Sequence, residues 1–135
     1  MKRKPILPLV LGLICTGTLA AWAASGPRQE ILSHYANQAG VALSAERGRA
    51  FFLASQTGGN PDTPSCSSCH TANPKNAGRT RVGKVIEPMA VSRTPARFTD
   101  AAKVEKWFGR NCNTVLGREC SSQEKGDILA YFSSL

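Results

Sequence analysis

The chain has 135 residues, which accommodates one domain and is short for two. Its 41% hydrophobic content excludes an intrinsically disordered chain, and 19% charged residues exclude a solvating tail. Seventeen Lys and Arg against nine Asp and Glu give a formal charge of +8.

Three of those cations, Lys2, Arg3 and Lys4, open the chain, and an apolar run from Pro5 to Trp22 follows. The run ends on small residues around Ala21-Trp22-Ala23. A basic start, a short apolar core and an A-x-A end predict a secretory leader over 1–23, cleaved on export to the periplasm. The mature domain is then 24–135. An uncleaved membrane anchor is the competing reading, opposed by Pro5, Pro8, Gly12 and Gly17 within the run. Cleavage also removes Cys15 and leaves Cys66, Cys69, Cys112 and Cys120.

Ser25-Gly26-Pro27 predicts a helix start, with Ile31, Leu32, Tyr35, Ala36 and Ala39 as its apolar stripe and Gly40 as its stop. Ser44 is a candidate cap for a second helix, with Glu46 in its first turn. Gly58, Gly59, Asn60, Pro61 and Pro64 mark a loop. From Thr71 to Pro95 no helical period appears, so a long irregular loop is expected there, with no convincing strand. Thr99-Asp100 predicts the start of a helix carrying Val104, Trp107 and Phe108. Ser121-x-x-Glu124 is a capping box for a last helix with Ile128, Leu129, Tyr131 and Phe132. The expectation is an all-α domain of about four short helices with long loops, completed by a buried cofactor.

Cys66-Ser67-Ser68-Cys69-His70 is C-x-x-C-H, the attachment signature of c-type haem. Two thiols add to two haem vinyl groups, and the two intervening residues set the reach between them. His70 directly after is then held under the iron as the proximal ligand. A zinc site needs a second ligand pair at short spacing, and Cys112 and Cys120 stand eight apart. A thioredoxin-type pair needs a βαβ pattern, and none appears. One covalent haem c on Cys66 and Cys69 is therefore the expected cofactor. An exported haem protein is not expected to bind nucleic acid, and a monomer is expected.

Cys112 and Cys120 remain, and an oxidising compartment favours their disulfide over two separate thiols. It would close a loop through Asn113 to Gly117, contributing about 2.5 kcal/mol less any strain. On the residues alone the sixth ligand of the iron stays open: His34, a Lys, an Asn, water or nothing.

Gly48-x-x-x-Phe52, C-x-x-C-H and Asp127-Ile128-Leu129-Ala130-Tyr131-Phe132 resemble the class I cytochrome c fold, in which a Gly lets two helices cross closely. Gly83-Lys84-Val85-Ile86-Glu87-Pro88-Met89 resembles the stretch whose Pro carbonyl accepts the proximal His N–H. By that resemblance Pro88 orients His70, and Met89 packs on the proximal side.

A denser resemblance runs from about Ala45 to Phe132. It is carried by Glu46-Arg47-Gly48-Arg49-Ala50, Gln56-Thr57-Gly58-Gly59, Pro61-Asp62-Thr63-Pro64-Ser65-Cys66 and Cys69-His70. Arg97-Phe98-Thr99-Asp100, Val104-Glu105-Lys106-Trp107, Gly109-Arg110-Asn111-Cys112-Asn113 and Gly117-Arg118-x-Cys120 continue it. The mature chain is similar to the sphaeroides haem protein (SHP) family of monohaem c-type cytochromes. The resemblance implies Asn111 as the sixth ligand, beside a Cys112–Cys120 disulfide. It also implies a dihaem cytochrome c as electron donor. Asn111 as a helix C-cap and Asn113 as ligand are the competing readings.

An amide is a weak-field ligand and displaceable, above all from ferrous iron. The implied function is an exported cytochrome that accepts electrons and binds or reduces O₂, NO or peroxide. The alternatives are a plain low-spin electron carrier with Met or His as sixth ligand, and a peroxidase with a distal acid–base pair. Lys103, Lys106, Arg110 and Arg118 are candidate docking cations for an acidic redox partner. Arg79, Thr80, Arg81 and Lys84 are candidate propionate contacts.

Overall fold

The computed structural model describes residues 26–135, so the leader expected over 1–23 lies outside the described residues. Five helices and one minimal hairpin follow in chain order. These are α1 (Pro27–Ala39), α2 (Ala45–Leu53), α3 (Ser67–His70), β1 (Gly78–Arg79), β2 (Val85–Ile86), α4 (Ala101–Leu116) and α5 (Ser122–Ser133). The domain is all-α in its core, as expected.

The helix ends sit where side-chain chemistry puts them. Pro27 opens α1, where a missing N–H costs nothing, and Gly40 closes it at φ 67°. Ser44 Oγ accepts from Arg47 N at the start of α2, and Asp100 Oδ1 accepts from Lys103 N at the start of α4. At α5, Glu124 N donates to Ser121 Oγ while Ser121 N donates to Glu124 Oε2, a reciprocal box.

α2 crosses α5 at Gly48. A Cβ built there would collide with the Asp127 carbonyl, so the two backbones touch only because the residue has no side chain. Beside the crossing, Asp127 is 3% exposed yet charged. Arg47 meets it with Nε on Oδ2 at 2.8 Å and Nη2 on Oδ1 at 3.0 Å, and Ser44 N donates to Oδ1 at 2.6 Å. A buried carboxylate persists because those donors replace its water.

Two apolar clusters make the core. Phe52, Ile128, Tyr131 and Phe132 fill the α2–α5 side, and Ile31, Tyr35, Val104 and Leu129 fill the junction of α1, α4 and α5. Phe98 and Phe108 touch both clusters and join them. Phe98 adopts φ 61°, an uncommon value for an aromatic residue, and its ring stacks on Phe132 at 5.7 Å.

Two local expectations are corrected. The stretch 71–95 is not wholly irregular: Gly78 pairs with Ile86 and Arg79 with Val85 in an antiparallel hairpin of two-residue strands. Strands this short carry no alternating pattern to read. Residues 113–116 are helix and not loop. Asn113 Nδ2 and Thr114 Oγ1 donate back to Gly109 O and Arg110 O, and the helix stops only at Gly117, φ 68°. Asn111 therefore stands inside α4 and is not its C-cap.

Candidate haem site

Cys66, Cys69 and His70 lie on a single helical turn, α3, with Cys66 as its N-cap. Ser65 organises the turn. Its hydroxyl lies 2.8 Å from Ser67 Oγ and 3.1 Å from Ser68 Oγ, and its N–H donates to Ser68 Oγ. Behind the turn, Gly78 of β1 lies so close to the Cys69 carbonyl that a Cβ would not fit. The hairpin that the sequence hid is thus the backing of the motif.

Cys66 and Cys69 take part in no disulfide, whereas Cys112 and Cys120 are joined by one with Cα atoms 5.6 Å apart. Burial pushes the Cys66 thiol up to about 11, so it is protonated at neutral pH. Burial, and then the charge of Arg97, pushes the His70 imidazole down to about 4. A neutral imidazole is the form that ligates a metal. His70 Nδ1 is buried without a hydrogen-bond partner. Among the described residues, no group of three or more His, Cys, Asp or Glu side chains converges as a metal cage. The residues fit a c-type haem: two thiols one turn apart and a neutral histidine directly after them.

The Pro88 carbonyl, expected to orient His70, lies beside two other donors. It accepts from Thr94 Oγ1 at 3.0 Å and from Arg97 Nε at 3.1 Å. Arg97 Nη2 also donates to Glu87 O at 2.6 Å. Arg97 is thus a site residue that sequence reasoning missed, its one signal being its place in the motif Arg97-Phe98-Thr99-Asp100. Met89 packs against the Phe52–Phe132 cluster, which Cys66 also touches.

On α4, Asn111 and Trp107 are one turn apart and both exposed, Trp107 by 52%. The Arg110 guanidinium stacks over the Trp107 ring at 5.2 Å. Asn113 lies about 200° further round the helix, its amide turned back on its own backbone. Cys112 faces inward and is buried, and its disulfide anchors the helix one residue after Asn111. His34 is exposed on α1, its ring edge-on to Tyr35 at 5.6 Å. All four candidate docking cations are exposed; Lys103 pairs with Asp100 and Arg118 with Glu124, while Lys106 and Arg110 carry no ion pair among the described residues. Among the candidate propionate contacts, Arg81 pairs with Asp62 at 2.9 Å and Arg79 donates to Gly83 O.

A family profile described as "Domain of unknown function (DUF1924)" matches residues 38–132. The cytochrome c-type protein SHP of Cereibacter sphaeroides is 52% identical over 124 residues, spanning 90% of this chain and 96% of the relative. This chain belongs to the SHP family of c-type cytochromes. Cytochrome c'' of Methylophilus methylotrophus is 41% identical over 101 residues, spanning 74% of this chain and 70% of the relative. The structure of oxidized SHP, described as an oxygen binding cytochrome c, superposes with a TM-score of 0.79 at 54% identity. It covers 82% of this chain and 98% of that one. The crystal structure of oxidized cytochrome c'' gives 0.68 at 36% identity, covering 78% and 92%. Membership in a c-type cytochrome family implies covalent haem c for this chain.

Proposed function

We propose that this SHP-family chain is an exported monohaem cytochrome that accepts electrons and binds or reduces a small ligand, O₂, NO or peroxide, at a labile distal position. In this reading Cys66 and Cys69 would carry the haem, and His70 and Asn111 would ligate its iron. The cofactor supplies one-electron chemistry and one exchangeable coordination position. The chain supplies the rest. α3 fixes both thiols and a neutral imidazole on one turn, Arg97 and Thr94 pin the carbonyl of Pro88, and the disulfide holds α4 beside Asn111.

The observation that carries the proposal is the pair of asparagines on α4. Asn113 is committed to Gly109 O, whereas the Asn111 amide is exposed beside Trp107 with no such return bond. A neutral amide oxygen is a poor ligand for ferrous iron, so reduction favours its release. The relatives support the reading: SHP is described as oxygen binding, and the solution structure of cytochrome c'' is described as giving insight into haem-ligand detachment. A dihaem cytochrome c fits as donor, with exposed Lys106 and Arg110 as the cations to meet it. The disulfide and the leader motif both fit a periplasmic location.

The decisive experiment is a pair of visible spectra. The oxidised protein should show high-spin character and the reduced protein should bind CO readily. Asn111→Ala should open the ferric site to azide while the haem stays attached. A sulfur-to-iron charge-transfer band with no CO binding after reduction would overturn the proposal and assign Met89 as ligand. Intact mass of the periplasmic protein should show one haem added to residues from about Ala24.

A further inference from the structure

One polar cluster at the junction of α1, α4 and α5 takes no part in the function proposed above. Tyr35 of α1 is 1% exposed, and its hydroxyl donates to Glu105 Oε1 of α4 at 2.5 Å. The other carboxylate oxygen, Oε2, accepts from Lys125 Nζ of α5 at 2.7 Å. Lys125 Nζ also lies 5.9 Å from the centre of the Tyr35 ring, and that ring meets Phe108 edge-on at 6.2 Å. One carboxylate thereby ties α4 to two helices at once.

The position of this tie along α4 is what gives it meaning. Glu105 precedes Asn111 by six residues, about 9 Å along the helix axis. Cys112, which the disulfide anchors, follows Asn111 by one residue. Asn111 is therefore bracketed by a covalent tie on one side and an ionic one on the other. Burial alone would raise the Glu105 carboxyl. Hydrogen bonds from Lys125 and Tyr35, with the charges of Lys125 and His34, hold it below the usual carboxylate range. Its charge is thus present throughout the neutral range. The carboxylate is also partly exposed, so losing the tie releases orientation more than global stability.

We infer that Glu105, through Tyr35 and Lys125, is a positioning residue that sets how firmly Asn111 holds the distal position. The inference rests on Asn111 being the distal ligand. Without the clamp α4 stays fixed at its C-terminal end by the disulfide and by Thr114 O on Asn60 N, so the part before Cys112 can tilt slightly about that end, and Asn111 moves with it. The clamp restricts that motion. Weakening it lowers the competition that Asn111 offers to incoming ligands in the oxidised protein, where the amide is bound.

The test compares holoprotein variants by azide titration of the ferric form and by potentiometry. Glu105→Gln should raise azide affinity at least threefold. A threefold loss of Asn111 binding to the ferric form raises the reduction potential by about 28 mV, since tenfold is 59 mV for one electron. Tyr35→Phe removes one arm of the clamp and should shift both readouts in the same direction by less. In an Asn111→Ala background, Glu105→Gln should change neither readout. A lowered melting temperature with unchanged azide affinity and potential in both variants would overturn the inference. So would an equal shift with and without Asn111. An Asn111→Ala protein with an unaltered ferric spectrum would instead refute the ligand assignment itself, and the inference with it.

Discussion

Where α2 crosses α5, backbone touches backbone at Gly48, Asp127 is buried with its donors, and Phe52 stands edge-on to Phe132 at 5.3 Å. α4 is seated differently. Up to Cys112 it rests on Val104 and Phe108 in the core, the Glu105 clamp, the Cys112–Cys120 bridge and the turn before the helix, where Arg28 Nε donates to Arg97 O at 3.0 Å. The first region is close-packed and intolerant of added volume. The second is tied at discrete points, so it keeps its place while each tie can be loosened separately. A protein that must hold a cofactor and also release one ligand needs both kinds of contact.

The comparison breaks first at Gly48. Gly48→Ala puts a methyl group where the Asp127 carbonyl lies. Overpacking costs roughly 1–3 kcal/mol when side chains yield, and more when two backbones must separate. Loss of folded, haem-loaded protein on expression is expected, and thermal melts of any surviving fraction would show it. Asp127→Ala comes next. It leaves the Ser44 N–H and the Arg47 guanidinium without their acceptor, at a cost of about 2–4 kcal/mol read by denaturant unfolding. A loss below about 1 kcal/mol would mean that the crossing depends on packing alone.

On the α4 side, the effects are smaller in stability and larger in ligand chemistry. Cys120→Ser removes the bridge and should cost no more than about 2.5 kcal/mol. Its sharper sign is a change in ferric azide affinity, which Asp127→Ala should leave alone. Alkylation of the denatured, unreduced wild type should label neither Cys112 nor Cys120. The smallest effect concerns acid. The Glu105 carboxyl sits below its ordinary pKa, so its contribution is present above about pH 4.3 and is lost as pH falls through the lower folded-state value. Glu105→Gln should flatten the acid limb of the melting-temperature profile and leave the neutral region nearly level. An unchanged acid limb would remove Glu105 from the ties on α4.

How much of this was legible in the sequence divides along the same lines. The caps at Ser44, Asp100 and Ser121 were readable because capping is local chemistry within four residues. Gly48 and the C-x-x-C-H turn were readable through motifs whose spacing is fixed by close approach or by covalent attachment. The helical run through Cys112 to Leu116 was not, because Asn113 and Thr114 read as loop residues until their side chains turn back on the helix. The Tyr35–Glu105 bond joins residues 70 apart, and no pattern within a single chain announces such a pair. The same holds for Arg97: its sequence position says nothing of a carbonyl nine residues earlier, at Pro88.

The loop before the haem motif adds a constraint of another kind. Asn60 N donates to Thr114 O at 2.7 Å, and side chains at Gly58, Gly59 or Gly117 would each strike backbone of the facing segment. The end of α4 and the approach to Cys66 are therefore meshed, with no side chain between them to yield. In the vocabulary of sequence drift, these three positions form one linked character. A lineage that places an alanine at any of them must shift the partner segment as well. Tolerated substitutions should therefore be scarcer at Gly58, Gly59 and Gly117 than at the exposed positions Lys106 and Arg110 of the same helix. Deep mutational scanning scored by haem incorporation would register that contrast as intolerance at the adjacent pair Gly58–Gly59 and at Gly117, distant in sequence and close in space.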